Sequence, residues 1–154
     1  MDKDSEKELF EQFRAAITAN GGKYYSSQVI DRLLNPRNVG KVADSSGVGR
    51  KIGICGDTIE VSLRIKEDKI IGAKFLTEGC GFTQVAGSMA TELAIGKTVN
   101  ESFMISPQTI LEQLGGLPED HEHCAQLASD TLREALQDYL PRKREPWKRN
   151  YRKD

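Results

Sequence analysis

The sequence predicts an α+β fold in which a three-stranded antiparallel sheet packs against several helices. Strand-type alternation is confined to residues 51–77, and helical periodicity with capping signals follows it. Three consecutive strands joined by short turns favour an antiparallel meander, because parallel neighbours need long crossover connections. A chain of 154 residues suits one domain with its own core.

The clearest strand is predicted at residues 58–65, where apolar and polar side chains alternate as in a half-buried strand. A polar turn at 66–69 leads into a second strand at 70–77, and a shorter strand is expected before both at 51–54. Residues 38–50 are rich in Gly, Ser and Asp, so we expect a long loop there, and such loops are often functional.

Two helices are predicted before the sheet. The first covers residues 6–19, starts at a Ser5/Glu8 capping box and ends at Asn20-Gly21-Gly22, so residues 1–22 form an appended N-terminal helix. The second covers Ser27–Leu34 and ends before Pro36, since a residue that precedes proline disfavours helical geometry.

Further helices are predicted after the sheet. One covers residues 82–95, a short one follows the Thr98/Glu101 capping box, and another begins at Ser106-Pro107. The last is expected from Pro118 to about Leu140, ending at Pro141. Its apolar stripe comprises Leu127, Thr131, Leu132, Ala135, Leu136 and Tyr139. The main domain is therefore predicted at residues 23–141, with a basic tail at 142–154.

Composition excludes several classes of protein. A content of 38% hydrophobic and 29% charged residues indicates a globular chain, and no apolar run is long enough to span a membrane. The acidic N-terminus lacks the apolar segment of a signal peptide, so a cytoplasmic location is expected. The net charge of −1 combines a +5 tail with a −6 remainder. The tail is either a frayed, solvated end or a docking site for an acidic partner, and the acidic remainder disfavours nucleic acid.

The three cysteines lie at predicted element ends, where functional side chains are common. Cys55 precedes a strand, Cys80 lies where a strand gives way to a helix, and Cys124 lies in the first turns of the last helix. Cys80 and Cys124 are therefore predicted to be thiolates stabilised by helix dipoles, able both to attack a persulfide and to bind iron. The alternative is that they are small buried hydrophobic residues.

The other candidate ligands lie beside the cysteines in the sequence. Both histidines of the chain, His121 and His123, fall within three residues of Cys124, and Asp57 follows Cys55 closely. Thiolate with imidazole favours zinc or iron. Three cysteines with Asp57 or His123 give four ligands, one of them weak, which suits an iron–sulfur cluster that must leave.

Five ordered groups of residues resemble the IscU/NifU N-terminal scaffold family over roughly residues 25–140. They are Tyr25-Ser26 with Val29-Ile30-Asp31, Asn35-Pro36-Arg37-Asn38-Val39-Gly40, Cys55-Gly56-Asp57, Gly79-Cys80-Gly81 and His123-Cys124. The separation of 44 positions between Cys80 and Cys124 is similar to the IscU type. The related SufU type carries an insertion there and is a zinc-dependent sulfur acceptor that activates a desulfurase, which is the alternative function.

The resemblance implies a scaffold, not an enzyme in the strict sense, that builds a labile [2Fe–2S] cluster. Its implied ligand set is Cys55, Asp57, Cys80, His123 and Cys124. Cys124 would be the main sulfur acceptor, and Asp57 would keep the cluster labile. The implied partners are a cysteine desulfurase, a ferredoxin-type electron donor and apo iron–sulfur proteins. Iron is the expected metal, and zinc can occupy an isolated sample. The sequence leaves the oligomeric state open, a homodimer included.

The chain departs from the family in the segment before the His-Cys pair. IscU proteins carry Leu-Pro-Pro-Val-Lys there, which a dedicated Hsp70-type chaperone reads, whereas this chain has Leu117-Pro118-Glu119-Asp120-His121. Release assisted by that chaperone is therefore in doubt. His121 replaces a lysine of the site and is either an additional imidazole ligand or a solvent-facing substitution.

Overall fold

The computed structural model describes residues 26–54 and 56–144, with only the backbone for Lys143 and Arg144. The predicted helix at residues 6–19, residue Cys55 and the tail from residue 145 lie outside this part. The helices are α1 (Ser27–Leu34), α2 (Gly81–Ala94), α3 (Val99–Phe103), α4 (Pro107–Leu114) and α5 (His123–Arg144), with a 3₁₀ turn at Glu119–His121. The strands are β1 (Gly47–Ile52), β2 (Thr58–Lys66) and β3 (Lys69–Glu78).

The three strands form the predicted antiparallel meander in the order β1-β2-β3. β1 begins at Gly47, so the strand prediction at 51–54 and the loop prediction at 38–50 were wrong in their boundaries. Two glycines explain the difference, because a Cβ atom at Gly47 would overlap the carbonyl oxygen of Ala135, and one at Gly49 would lie 2.5 Å from that of Thr131. A stretch that resembles a flexible loop is thus a strand lying directly under α5.

The core lies between the inner face of the sheet and the helices α2 and α5. Phe75 of β3 is fully buried, and Gly87 of α2 gives it room, since a Cβ atom there would lie 2.6 Å from the ring. The predicted apolar stripe of α5 is buried along its whole length. In the part of the chain that the structure describes, no helix is long and apolar enough to cross a membrane.

The last helix differs from its prediction at both ends. Residues 119–121 form a 3₁₀ turn, and α5 begins only at His123 and continues through Pro141 to Arg144. Pro141 removes a helical hydrogen bond, but Arg142 fastens the final turn. Its guanidinium is buried, lies 3.2 Å from the Asp138 carboxylate and donates to the carbonyl of Ser46 at 3.2 Å. The domain boundary at 141/142 stays a prediction, although Arg142 itself packs on the domain.

The capping predictions for the two short helices after α2 are confirmed, whereas the Ser5/Glu8 capping box lies outside the described residues. Thr98 and Glu101 form a reciprocal capping box, and Ser106 caps α4 with proline at the first helical position. The short helix α1 has its predicted bounds. It is joined to α2 by Arg32, whose guanidinium binds both carboxylate oxygens of Glu92 at 2.7 and 3.0 Å.

Candidate functional site

The site forms where the start of β2 meets the end of β3. Thr58 pairs with Glu78 in the antiparallel register, so the residues flanking these two, Asp57 and Gly79, are neighbours. A tight turn leads into β2: the N–H of Gly53 donates to the carbonyl of Asp57 at 2.7 Å, and Gly56 has a φ of +83° that favours glycine. The meander therefore brings Gly56-Asp57 and Gly79-Cys80-Gly81 together, whereas Cys55 lies outside the described residues.

Gly79 lets Asp57 lie against the backbone. A Cβ atom at Gly79 would be 2.9 Å from Cγ of Asp57 and 3.0 Å from its Oδ2. Cβ atoms in proteins essentially never lie closer than 3.0 Å to a non-bonded atom. Glycine at this position is thus a requirement of the carboxylate's placement.

Cys80 and Cys124 come from two helix starts that meet at the site. Cys80 is the N-cap of α2 and is partly exposed, whereas Cys124 lies in the first turn of α5 and is fully buried. Their Sγ atoms are 4.0 Å apart. Two thiolates bound to one tetrahedral metal ion at about 2.3 Å lie about 3.8 Å apart, so this spacing suits a shared metal.

Thr83 is a site residue that the sequence reasoning missed. Its buried hydroxyl donates to Oδ2 of Asp57 at 2.7 Å and lies 3.4 Å from Sγ of Cys124 and 3.5 Å from Sγ of Cys80. The sequence does contain an indication of this position. Thr83 follows Cys80 by three residues at the start of a predicted helix, so the two side chains lie on the same helix face.

Both histidines lie beside Cys124. The Nε2 atom of His123 is 3.8 Å from its Sγ. The described residues form two groups of potential metal ligands, and within each group the ligand atoms lie within 4.8 Å of one another. One group is Cys80, His121 and Cys124, and the other is Asp57, His123 and Cys124. Cys124 belongs to both groups.

His121 is partly buried and its ring contacts the ring of Phe82, with centroids 4.3 Å apart. Its Nδ1 atom is buried and has no hydrogen-bond partner among the described residues. Its Nε2 atom lies 3.8 Å from the Asp120 carboxylate. A buried, unpaired nitrogen with a carboxylate beside the other nitrogen is the arrangement that metal-binding histidines commonly have.

The prediction that Cys124 is a stabilised thiolate was wrong for the metal-free protein. Burial raises the pKa of the Cys124 thiol to about 12, and the contact with the Thr83 hydroxyl only partly opposes this. The thiol therefore keeps its proton at neutral pH. A bound cation would reverse the preference, because a coordinating thiol is deprotonated by the metal's own charge.

The family profile described as the NifU-like N terminal domain matches residues 24–146. Among similar proteins, the iron–sulfur cluster assembly scaffold protein IscU 1 of Archaeoglobus fulgidus is 45% identical over 118 residues, covering 75% of this chain and 76% of that protein. The scaffold protein IscU of Azotobacter vinelandii is 41% identical over 124 residues, covering 77% of this chain and 96% of that protein.

Solved structures agree on the fold. A NifU-like N-terminal protein from Brucella abortus superposes with a TM-score of 0.60 at 16% identity, covering 75% of this chain and 94% of that one. A candidate cluster assembly scaffold of the SUF system from Fervidobacterium islandicum gives a TM-score of 0.58 at 24% identity, covering 73% and 96%. At these identities the likeness concerns the architecture alone.

Proposed function

The chain belongs to the family of the NifU-like N-terminal domain, and from that premise we propose that it is a scaffold for iron–sulfur cluster assembly. It assembles a labile [2Fe–2S] cluster from iron and from persulfide sulfur delivered by a cysteine desulfurase, and it passes the cluster to apo-proteins. A ferredoxin-type protein supplies the electrons. The protein hosts this chemistry as a scaffold and not as an enzyme, and its cytoplasmic location stays a prediction.

One observation carries the proposal: a sulfur pair 4.0 Å apart is surrounded by a carboxylate and two imidazoles. The ligands we assign are Cys55, Asp57, Cys80, His123 and Cys124, with His121 as an additional ligand beside the sulfur pair. A resident structural zinc site would be closed by four strong ligands. A carboxylate oxygen is a hard ligand for soft thiolate chemistry, which favours a site that releases its metal.

Cys124 is the assigned sulfur acceptor. Cys124 would react as a thiolate, the form that the charge of a bound metal ion stabilises. The thiolate would attack the outer sulfur of the desulfurase persulfide, a new S–S bond would form on Cys124, and the desulfurase thiolate would leave. Because Cys124 is fully buried, the transfer requires the residues that cover it to move aside. Peptide mass mapping after single-turnover transfer should find the added sulfur on Cys124, and sulfur found only on Cys80 would contradict this assignment.

Anaerobic reconstitution tests the proposal as a whole. The reduced protein is incubated with ferrous iron, cysteine and a catalytic amount of a cysteine desulfurase, and the visible absorption of a [2Fe–2S] cluster should appear. Cys124→Ser and Cys80→Ser should each prevent it. Tightly bound zinc and no cluster spectrum, despite persulfide transfer, would contradict the scaffold function.

That contradictory outcome describes the alternative, a zinc-bound SufU-like sulfur acceptor that activates a desulfurase. The alternative is not favoured, because relatives at 41–45% identity are named IscU scaffolds. The SUF-system structure is only 24% identical in sequence, so its similarity concerns the fold and not the function.

Asp57 is assigned the role of keeping the cluster labile. Asp57→Ala should slow transfer of a preformed cluster to an apo-ferredoxin. The ligands that then surround the iron are thiolates and imidazoles, which are softer and hold it more tightly than a carboxylate does. The rate is read from the visible circular dichroism of the acceptor. An unchanged rate would remove this role from Asp57.

The basic tail is proposed to contact the desulfurase. Because Arg142 is part of the folded domain, the appropriate deletion covers residues 145–154. It should weaken desulfurase binding at low salt and have little effect at high salt. An affinity equal to that of the full chain at every salt concentration would favour a frayed, solvated end.

A further inference from the structure

We propose that Thr83 is a positioning residue that holds the Asp57 carboxylate at the site and thereby sets the rate of cluster release. The inference rests on the proposed scaffold function. It assigns a role to a residue that lies outside the ligand set and that contributes no strong ligand of its own.

The hydrogen bonding around Thr83 is directional. Its fully buried hydroxyl has one hydrogen, which is donated to Oδ2 of Asp57 at 2.7 Å. The oxygen lone pairs are then left for the thiols of Cys124 and Cys80, at 3.4 and 3.5 Å. The hydroxyl is thus the one described group in contact with the carboxylate and both sulfur atoms.

Asp57 depends on this contact for its orientation. No other described residue donates a hydrogen bond to its carboxylate, which is only partly buried. Gly79 limits the carboxylate on its other side, since a Cβ atom there would lie 2.9 Å from Cγ. Thr83 and Gly79 therefore fix the carboxylate between them, and one oxygen, Oδ1, remains without a hydrogen bond from the described residues.

An oriented carboxylate is what a labile ligand requires. Partners that hydrogen-bond a ligating carboxylate fix its direction and strength, and their loss changes metal affinity or activity by roughly 10- to 100-fold. Without the hydroxyl, Asp57 turns toward solvent, and the site behaves as if the carboxylate were absent. Cluster release then slows in the same direction as for Asp57→Ala.

A purely structural role for Thr83 makes a different prediction. Valine has nearly the shape of threonine, so Thr83→Val keeps the packing and removes only the hydroxyl. Thr83→Ser keeps the hydroxyl and removes only a methyl group. If Thr83 merely filled space, the serine variant would be the more damaging of the two.

The experiment compares cluster transfer from Thr83→Val, Thr83→Ser, Asp57→Ala and the Asp57→Ala/Thr83→Val double variant to an apo-ferredoxin. We expect Thr83→Val to release its cluster roughly 10-fold more slowly and Thr83→Ser to restore the rate. The double variant should match Asp57→Ala alone, because Thr83 acts through Asp57. The visible circular dichroism of the bound cluster should change alike in Thr83→Val and Asp57→Ala.

The matched control is Thr91→Val on the same helix. Thr91 is also fully buried, but its hydroxyl donates to backbone carbonyls of α2 at 2.9 Å, away from the site. This variant should lose some stability and keep the wild-type release rate.

Three outcomes would overturn the inference: wild-type release from Thr83→Val, a serine variant as slow as the valine variant, or a double variant clearly slower than Asp57→Ala. If Thr83→Val does not fold, Thr83→Ala compared with Thr83→Ser answers the same question. If the wild type builds no cluster, the proposed function fails separately. The Co²⁺ absorption spectrum of each variant then tests Thr83, and a Thr83→Val spectrum identical to that of the wild type rejects its role.

Discussion

The two helix starts that carry the site cysteines differ in what surrounds the sulfur atom. Cys80 caps α2 at the end of β3 and is partly exposed, whereas Cys124 lies in the first turn of α5, shortly after the 3₁₀ turn, and has no exposed surface. Both are near helix N-termini, and for this reason the sequence predicted the same chemistry for both. The structure shows that position on a helix is not enough to predict the state of a thiol.

The free energies of burial and of the helix dipole explain why burial decides the protonation state of Cys124. A helix N-terminus stabilises a nearby anion by about 0.3–1 kcal/mol, and by about 2 kcal/mol in the most favourable sites. The rise in the pKa of Cys124 from 9.0 to about 12 corresponds to about 4 kcal/mol against the thiolate. Burial therefore outweighs the dipole, and only a stronger charge such as a metal ion makes Cys124 a thiolate.

The largest effect expected from this difference is a pH dependence of stability. The unfolded chain loses the Cys124 proton above about pH 9, while the folded chain keeps it until about pH 12. The native state is thus stabilised fully below pH 9 and loses up to about 4 kcal/mol as the pH rises through this window. Urea unfolding of metal-free, reduced protein at a series of pH values measures the loss.

Cys124→Ala supplies the reference for that measurement, since other groups also titrate at alkaline pH. The difference in unfolding free energy between the wild type and Cys124→Ala should shrink from pH 9 upward. A constant difference across the range would contradict the raised pKa.

The second effect concerns alkylation by iodoacetamide at pH 8. With a pKa of about 12, roughly one Cys124 in ten thousand is a thiolate at this pH, and the sulfur is also covered. Cys80 should therefore react faster than Cys124 by at least about 100-fold in the native protein, as measured by peptide mass mapping over time. In urea, where both cysteines are exposed, the two alkylation rates should be equal. Equal alkylation rates in the native protein as well would show that Cys124 is open to solvent.

The third effect tests how α5 keeps Cys124 buried. Gly49→Ala places a Cβ atom 2.5 Å from the carbonyl oxygen of Thr131 and 2.6 Å from the backbone nitrogen of Ala135, so α5 must shift from β1. We expect a loss of about 1–3 kcal/mol and faster alkylation of Cys124. Gly72→Ala is the control, because its Cβ would meet atoms only at 3.7 Å or beyond. Comparable losses in the two variants would indicate a backbone effect unrelated to α5.

The smallest effect concerns the contact between the start of α2 and the 3₁₀ turn before α5, the ring pair of Phe82 and His121. A double-mutant cycle with Phe82→Ala and His121→Ala should give a coupling energy of about 0.5–1.5 kcal/mol. The cycle isolates this pair from the other contacts of each ring. A coupling energy near zero, measured by thermal or urea unfolding, would mean that this ring pair does not stabilise the packing of α2 against the 3₁₀ turn.

The elements that the sequence predicted correctly are those specified by local signals. The β2–β3 hairpin follows from alternation and a polar turn, and α3 and α4 follow from capping residues next to short apolar runs. Antiparallel pairing of the same two strands also makes Asp57 and Gly79 neighbours.

The features that were missed depend on distant contacts. β1 starts at Gly47 because α5 lies on it, and α5 passes Pro141 because Arg142 bonds to the loop at Ser46. The state of Cys124 depends on how deeply several segments bury it, which periodicity does not encode. The role of Thr83 was visible only as a polar residue one turn after Cys80.

Metal ions bound at both candidate ligand groups would be coupled, because the Sγ atom of Cys124 belongs to both groups. An ion that binds at one group changes the affinity of the other, and by thermodynamic reciprocity the second ion changes the affinity of the first by the same factor. Calorimetric titration with one type of ion should therefore not show two independent sites. The occupancy of one group would then depend on the occupancy of the other through a single sulfur atom.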